Sequence, residues 1–81
     1  MKLIEALILA QHEYGTHSDW KAIHQDGCFI GRDPHDTYYA YGIEGDLVSW
    51  AEGRLEMVLA SFAEQYPYQV LDERWKVSRW E

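Results

Sequence analysis

Apolar residues Leu3, Ile4, Leu7, Ile8 and Ala10 recur at the spacing of one helix face. Lys2, Glu5, Gln11 and His12 stand between them, so the pattern predicts a helix over residues 2–14. Gly15 stands where a helix C-cap glycine belongs and marks the stop. Beyond it the period shortens. Trp20-Lys21-Ala22-Ile23-His24 and Cys28-Phe29-Ile30-Gly31-Arg32 are apolar runs separated by Gln25-Asp26-Gly27. An Asp-Gly between such runs predicts a hairpin with a type I′ turn, which needs positive φ at both central residues. Asp33-Pro34-His35-Asp36 reads as the next turn, with proline preset for an early turn position. Thr37-Tyr38-Tyr39-Ala40-Tyr41-Gly42-Ile43 has the β-branched and aromatic make-up of a third strand, closed by Glu44-Gly45-Asp46. Alternation puts Tyr39 and Tyr41 on one face and Tyr38 on the other.

Ser49-Trp50-Ala51-Glu52 has the spacing of a capping box, serine accepting from the N3 amide and glutamate reaching back to the cap amide. It predicts a second helix over residues 50–65 with Leu55, Val58, Leu59 and Phe62 on one face; an extra first turn at Leu47-Val48, capped by Asp46, is the alternative. Pro67 ends this helix. Tyr68 to Trp80 reads as a last strand, with Trp75 and Val77 on one face and Arg74, Lys76 and Ser78 on the other. The order α-β-β-β-α-β implies one α+β domain over residues 1–81: an antiparallel sheet of about four strands with two helices packed on one face.

Composition narrows the class. A chain of 81 residues holds one core, and 47% hydrophobic with 15% aromatic content excludes a disordered acidic tail. A single cysteine, Cys28, excludes an internal disulfide and points to a reducing, cytoplasmic setting. The N-terminal apolar run is interrupted by Glu5 and falls short of a membrane span, so it reads as part of a folded helix. Dimerisation is one way for so small a core to gain buried area, and both a monomer and a homodimer fit the composition.

Charge changes the picture most. From Asp33 to Glu73 there are nine carboxylates (Asp33, Asp36, Glu44, Asp46, Glu52, Glu56, Glu64, Asp72 and Glu73) against one cation, Arg54, a local charge of −8 in a chain of net −7. Tyr38, Tyr39, Tyr41 and Trp50 are woven through the same stretch. Acid plus aromatic fits a surface that docks on a basic partner, because the field steers encounter and the rings supply contact area. The same charge repels phosphate, which argues against direct binding of nucleic acid or an anionic membrane. The candidate contacts are Asp33, Asp36, Glu44 and Asp46 in turns, Tyr38 or Tyr39 beside them, and Glu52 and Glu56, which a helix would set side by side on one face. Turn carboxylates of this kind are expected to hold little of the fold. The blander reading is a solvated acidic face with ordinary cross-strand pairing of tyrosines.

Other chemistry is thinner. His24-x3-Cys28 spans a hairpin, but a zinc site favours two tight ligand pairs and the second is missing. Cys28 with His24 or His17 would make a nucleophile and base only with a cleft and an oxyanion site, much to build in so short a chain. Gly27-x3-Gly31 lacks the context of a phosphate loop. The residues therefore point to a non-enzymatic protein without cofactor or metal.

The small size, net charge, α+β order and the acid–aromatic turn Asp33-Pro34-His35-Asp36-Thr37-Tyr38-Tyr39 resemble the acidic single-domain inhibitors that phages make against bacterial defence systems, notably anti-CRISPR proteins. That resemblance implies a nucleic-acid mimic in an infected host, its carboxylates occupying a Lys/Arg groove of a ribonucleoprotein effector, a CRISPR complex above all. A second, local resemblance lies in Glu5-Ala6-Leu7, Gly45-Asp46-Leu47-Val48-Ser49-Trp50 and Val70-Leu71-Asp72-Glu73-Arg74-Trp75-Lys76-Val77, which look like segments of a phage family that sequesters cyclic-nucleotide signals of the Thoeris defence system. It implies a phosphate-binding pocket, for which Arg32, Arg54, Arg74, Lys76 and Arg79 are the available cations. This chain places a helix between the last two segments and lacks the family's proline-rich middle.

Overall fold

In the computed structural model, which describes residues 1–15 and 18–79, the first helix forms where its stripe predicts, but its buried face is Leu3, Ala6, Leu7 and Ala10, while Ile4 and Ile8 of the stripe are exposed. Helix α1 (Leu3–Tyr14) is capped by the Glu5 carboxylate, which accepts from the Lys2 amide at 2.8 Å, and closes at Gly15, whose N–H donates to the Gln11 carbonyl. Strands β1 (Trp20–His24), β2 (Phe29–Arg32), β3 (Thr37–Tyr41) and β4 (Leu47–Glu52) follow, then helices α2 (Leu55–Gln65) and α3 (Pro67–Leu71), and finally β5 (Trp75–Arg79). The five strands form one antiparallel sheet in the order β4-β3-β2-β1-β5. The α+β class therefore stands, with one strand and one helix more than expected.

The differences have local causes. Ser49 and Glu52 do not cap a helix: both lie in β4, where Ser49 pairs with Ala40 and Glu52 with Thr37. Helix α2 accordingly starts at Leu55, so Glu52 and Glu56 do not share a helix face, and Leu47-Val48 opens the strand instead of a helical turn. Pro67 does end α2, but its fixed φ and missing N–H also suit a first helical turn, and it starts α3 across residues expected to be strand. The β1–β2 connection is not a type I′ turn. Gln25-Asp26-Gly27 is a three-residue loop closed by the His24 N–H to the Cys28 carbonyl at 2.9 Å, with positive φ at Gly27 (101°) and not at Asp26.

All three helices serve one face of the sheet. Leu3, Ala6, Leu7 and Ala10 of α1 and Val58 and Phe62 of α2 pack with Trp20, Ala22, Ile30, Tyr38, Ala40 and Trp75, all buried. Leu55 and Leu59 flank them half-buried, as the helical stripe predicts. Phe62 meets Trp75 edge-on at 5.8 Å between ring centres, and Trp20 meets Tyr38 at 6.2 Å. Burying each large side chain is worth about 1.5–3 kcal/mol, so the two tryptophans and Phe62 carry much of the core.

The end of α2 is fixed to the β3–β4 turn by contact with a glycine. A Cβ on Gly42 would collide with the Tyr66 hydroxyl and would lie 2.8 Å from an Asp46 carboxylate oxygen. Gly42→Ala is therefore expected to lose about 1–3 kcal/mol of stability in denaturant melts, as overpacking does. Part of that loss should return in Gly42→Ala/Tyr66→Phe, which removes the hydroxyl; equal stability of Gly42→Ala and the parent would contradict the contact.

Candidate functional site

Alternation of the pleat sorts the sheet into two surfaces. Residues facing the helices are Trp20, Ala22 and His24 of β1, Ile30 and Arg32 of β2, and Tyr38 and Ala40 of β3, all buried. Their neighbours of opposite parity (Lys21, Ile23, Phe29, Gly31, Tyr39, Tyr41, Trp50 and Lys76) share the other face through the pairs Phe29↔Tyr41, Gly31↔Tyr39, Tyr39↔Trp50 and Ile23↔Lys76. Among the described residues no helix packs on that face. Its aromatic side chains pack on one another: Phe29 stacks on Tyr41 at 5.0 Å, Tyr39 stands edge-on to Tyr41 at 6.0 Å, and the Lys21 ammonium lies 5.3 Å from the centre of the Phe29 ring. A Cβ on Gly31 would come within 2.8 Å of the Tyr39 ring, so glycine there lets Tyr39 lie down across β2. Trp50 is 60% exposed at the outer strand.

The sequence-predicted contacts fall into different places. Tyr38 is buried against Trp20 and faces the core, whereas Tyr39 lies on the open face. The carboxylates divide between the two ends of the strands. At one end the β2–β3 turn carries Asp33 and Asp36, and Gly53 N–H donates to the Asp36 carbonyl at 2.7 Å, which draws Glu52 and the start of α2 with Glu56 beside them. At the other end the β3–β4 turn carries Glu44 and Asp46, with Ile43 against Gly27 of the β1–β2 loop and hence near Asp26. A five-residue strand separates the two groups by about 17 Å, so they flank the aromatic face and do not merge into one patch.

Two of these carboxylates have structural work, against the expectation for turn acids. One Asp33 oxygen accepts from the N–H groups of His35 (2.8 Å) and Thr37 (3.0 Å). Asp36, in the left-handed region at φ 63°, pairs with Arg32 at 3.2 Å. Arg32 is itself buried; its guanidinium donates to the carbonyls of Ser18 and Asp33 and lies against the Tyr38 ring. Arg32 stands one residue before the acidic stretch, and counting charge within that stretch missed it.

A second polar cluster was not foreseen. His24 is buried; its Nδ1 accepts from the Asp26 N–H at 3.1 Å, which leaves Nε2 to donate to Asp72 at 2.6 Å. Arg74 Nε donates to the same Asp72 oxygen at 2.8 Å, and the Trp75 indole donates to the Gln69 carbonyl at 2.7 Å. Burial works against ionisation of Asp72, but the hydrogen bonds from His24, Arg74 and the Glu73 amide outweigh it and hold its carboxyl below the usual range. The hydrogen bond and charge of Asp72 raise Arg74 in turn. Beside this cluster an open depression of about 870 Å³ runs along β5, with Ile23, Gln25, Arg74, Lys76 and Ser78 among its walls. His24 and Cys28 do not form a reactive pair: burial pushes the Cys28 thiol up to about 11, and His24 is engaged elsewhere. Among the described residues, no three His, Cys, Asp or Glu side chains are grouped to hold a metal ion, and no helix is long and apolar enough to cross a membrane.

Compared with family models, with curated proteins and with solved structures, the chain matches none.

Two expectations follow. Asp33→Lys should cost about 1–3 kcal/mol of stability, because two turn amides lose their acceptor; unchanged denaturant midpoints would contradict this role. For Asp72, a carboxyl with a lowered folded pKa stabilises fully above its unfolded value of about 3.9 and loses that contribution as pH falls through the folded value. Asp72→Asn should therefore melt below the parent at neutral pH, and the gap should close below about pH 4. A gap that persists into acid would show that packing, and not charge, is what the substitution removes.

Proposed function

We propose that this chain is a non-enzymatic inhibitor that docks on a basic, nucleic-acid-binding groove of a bacterial defence complex, a CRISPR effector in particular. The observation that carries the reading is the aromatic half of the open sheet face, Phe29, Tyr39, Tyr41 and Trp50, flanked at both ends by acidic turns. Protein interfaces have this layout, with rings at the centre and charge on the rim. Tyrosine hydroxyls and ring faces receive Arg and Lys, and the rim acids steer the encounter. Glu44, Asp46, Glu52 and Glu56 serve as rim contacts, Tyr39 as a central one. Asp33 and Asp36 support them by shaping the turn, and Tyr38 acts from beneath by holding Arg32.

A second reading rests on the depression along β5. Its volume falls within the usual range for small-ligand sites, about 300–1,000 Å³, and its wall carries Lys76 and Arg74, the latter paired with Asp72, beside the carboxylate of Glu73. That chemistry suits a small anion such as a cyclic nucleotide, sequestered without turnover.

Binding of a purified CRISPR ribonucleoprotein separates the two. On the docking reading, association slows as salt rises, because rim charges are screened within about 8–10 Å. The combined reversal of Glu44, Asp46, Glu52 and Glu56 to lysine should slow association at low salt at least about tenfold, with little change in melting temperature. Single reversals should each matter little, at under about 1 kcal/mol. Parent-like association of the combined variant would remove the docking reading. A thermal shift with cyclic nucleotides that Lys76→Glu abolishes would then favour sequestration.

A further inference from the structure

Helix α3 is held by polar bonds more than by burial. None of its five residues, Pro67–Leu71, is buried, and Tyr68 and Leu71 stand 66% and 74% exposed. It lies against α1 and α2, yet of its apolar side chains only Val70 packs on the core, half-buried. A helix this short is marginal without tertiary support. Its main-chain bonds are long: Val70 N–H to the Tyr66 carbonyl and Asp72 N–H to the Gln69 carbonyl are both 3.2 Å. What ties the segment to the sheet is a set of side-chain hydrogen bonds. The Trp75 indole donates to the Gln69 carbonyl at 2.7 Å, His24 Nε2 donates to Asp72 at 2.6 Å, and the Gln69 amide reaches Asp26 at 3.5 Å. The two ends are pinned. The Tyr66 ring stacks on Phe62 at 5.2 Å, and the Glu73 carbonyl accepts from the Met1 amine.

We propose that α3 is a gate, opening as a unit between hinges at Tyr66 and Glu73 while the sheet, α1 and α2 stay folded. Segments with few buried apolar contacts open at a fraction of the free energy of global unfolding. Hinges are commonly a few residues at the ends of elements. Tyr66 has that place: it caps both the end of α2 and the start of α3, at φ −128° and ψ 57°, outside helical geometry. What the gate covers is defined by its bonds. Trp75 and His24 are 2% and 1% exposed, and their rings lie tilted on one another at 5.1 Å, with Phe62 edge-on to Trp75 behind them. Withdrawing the Gln69 carbonyl and the Asp72 carboxylate frees the indole and imidazole N–H groups together. The open state thus presents two ring donors on the helix side of the sheet, where the closed state presents none. The gate rests on neither reading of function, since its opening needs no partner and no ligand.

Native-state hydrogen exchange of the full chain, followed by NMR, tests it. The Trp75 indole proton reports the gate directly, because its acceptor is the α3 carbonyl of Gln69. Its protection should match that of the Val70 and Asp72 amide protons. All three should be protected at least about 100-fold less than the amides of Ala22 and Tyr39 in the paired strands β1 and β3. Ile30→Val weakens packing that is lost only in global unfolding, so it should speed exchange at Ala22 and Tyr39 roughly two- to tenfold. The same substitution should leave the Trp75 indole unchanged. Indole protection equal to that of Ala22 and Tyr39 would overturn the gate. So would indole exchange that rises with theirs in Ile30→Val, or Val70 and Asp72 amides whose protection differs from that of the indole by more than about tenfold.

Discussion

The pleat of β1, β2 and β3, which sends successive side chains to opposite faces, is the constraint on which the rest of the molecule depends. It drives Trp20, Ile30, Tyr38 and Ala40 under the helices, where they join Phe62 and Trp75 in the core. The same alternation leaves Phe29, Tyr39 and Tyr41 on the side that no described helix covers. A slip of one residue in β1 would exchange its sets, burying Lys21 and exposing Trp20. The core and the open aromatic face are thus two consequences of one register. Selection for either preserves the other.

Electrostatics follows from the same frame. Turns lie at the ends of strands, so carboxylates placed in turns gather at the two ends of the sheet and leave its middle to rings and to Lys21 and Lys76. At one end the buried Arg32 answers Asp36 and closes the turn that Asp33 shapes. Across the sheet, His24 joins β1 to Asp72 ahead of β5, and Arg74 shares that carboxylate. Formal charge therefore overstates the freely available acid: Asp33, Asp36 and Asp72 are engaged in the fold, whereas Glu44, Asp46, Glu52 and Glu56 are exposed. This division separates acids that shape turns from those available to a partner.

Much of this was legible from local pattern. Helix α1 with its stop at Gly15, the apolar face of α2, the first three strands, and the opposite facing of Tyr38 and Tyr39 all follow from periodicity. What escaped was decided by contacts distant in sequence. Ser49-Trp50-Ala51-Glu52 satisfies a helix cap locally, yet pairing with β3 makes it strand, and strand preference is set by neighbours more than by the segment itself. Pro67 signals a helix end and a helix start equally well, and α3 depends on the second. His24 and Asp72 are 48 residues apart, and Arg32 meets Asp36 only because a turn folds between them. The candidate acids were legible as a group, but their division between the ends of the sheet needed the strand order.

Hydroxyl-radical footprinting of the chain, free and bound to a CRISPR effector, bears most directly on the claim that the open aromatic face is the docking surface. Tyr39, Tyr41 and Trp50 report that face, while Tyr68, 66% exposed on α3, reports the opposite side within the same molecule. The account predicts that binding shields Tyr39, Tyr41 and Trp50 from oxidation and leaves Tyr68 as reactive as in the free chain. Shielding of Tyr68 with Tyr39 and Tyr41 unchanged would contradict it and place the interface on the helical side.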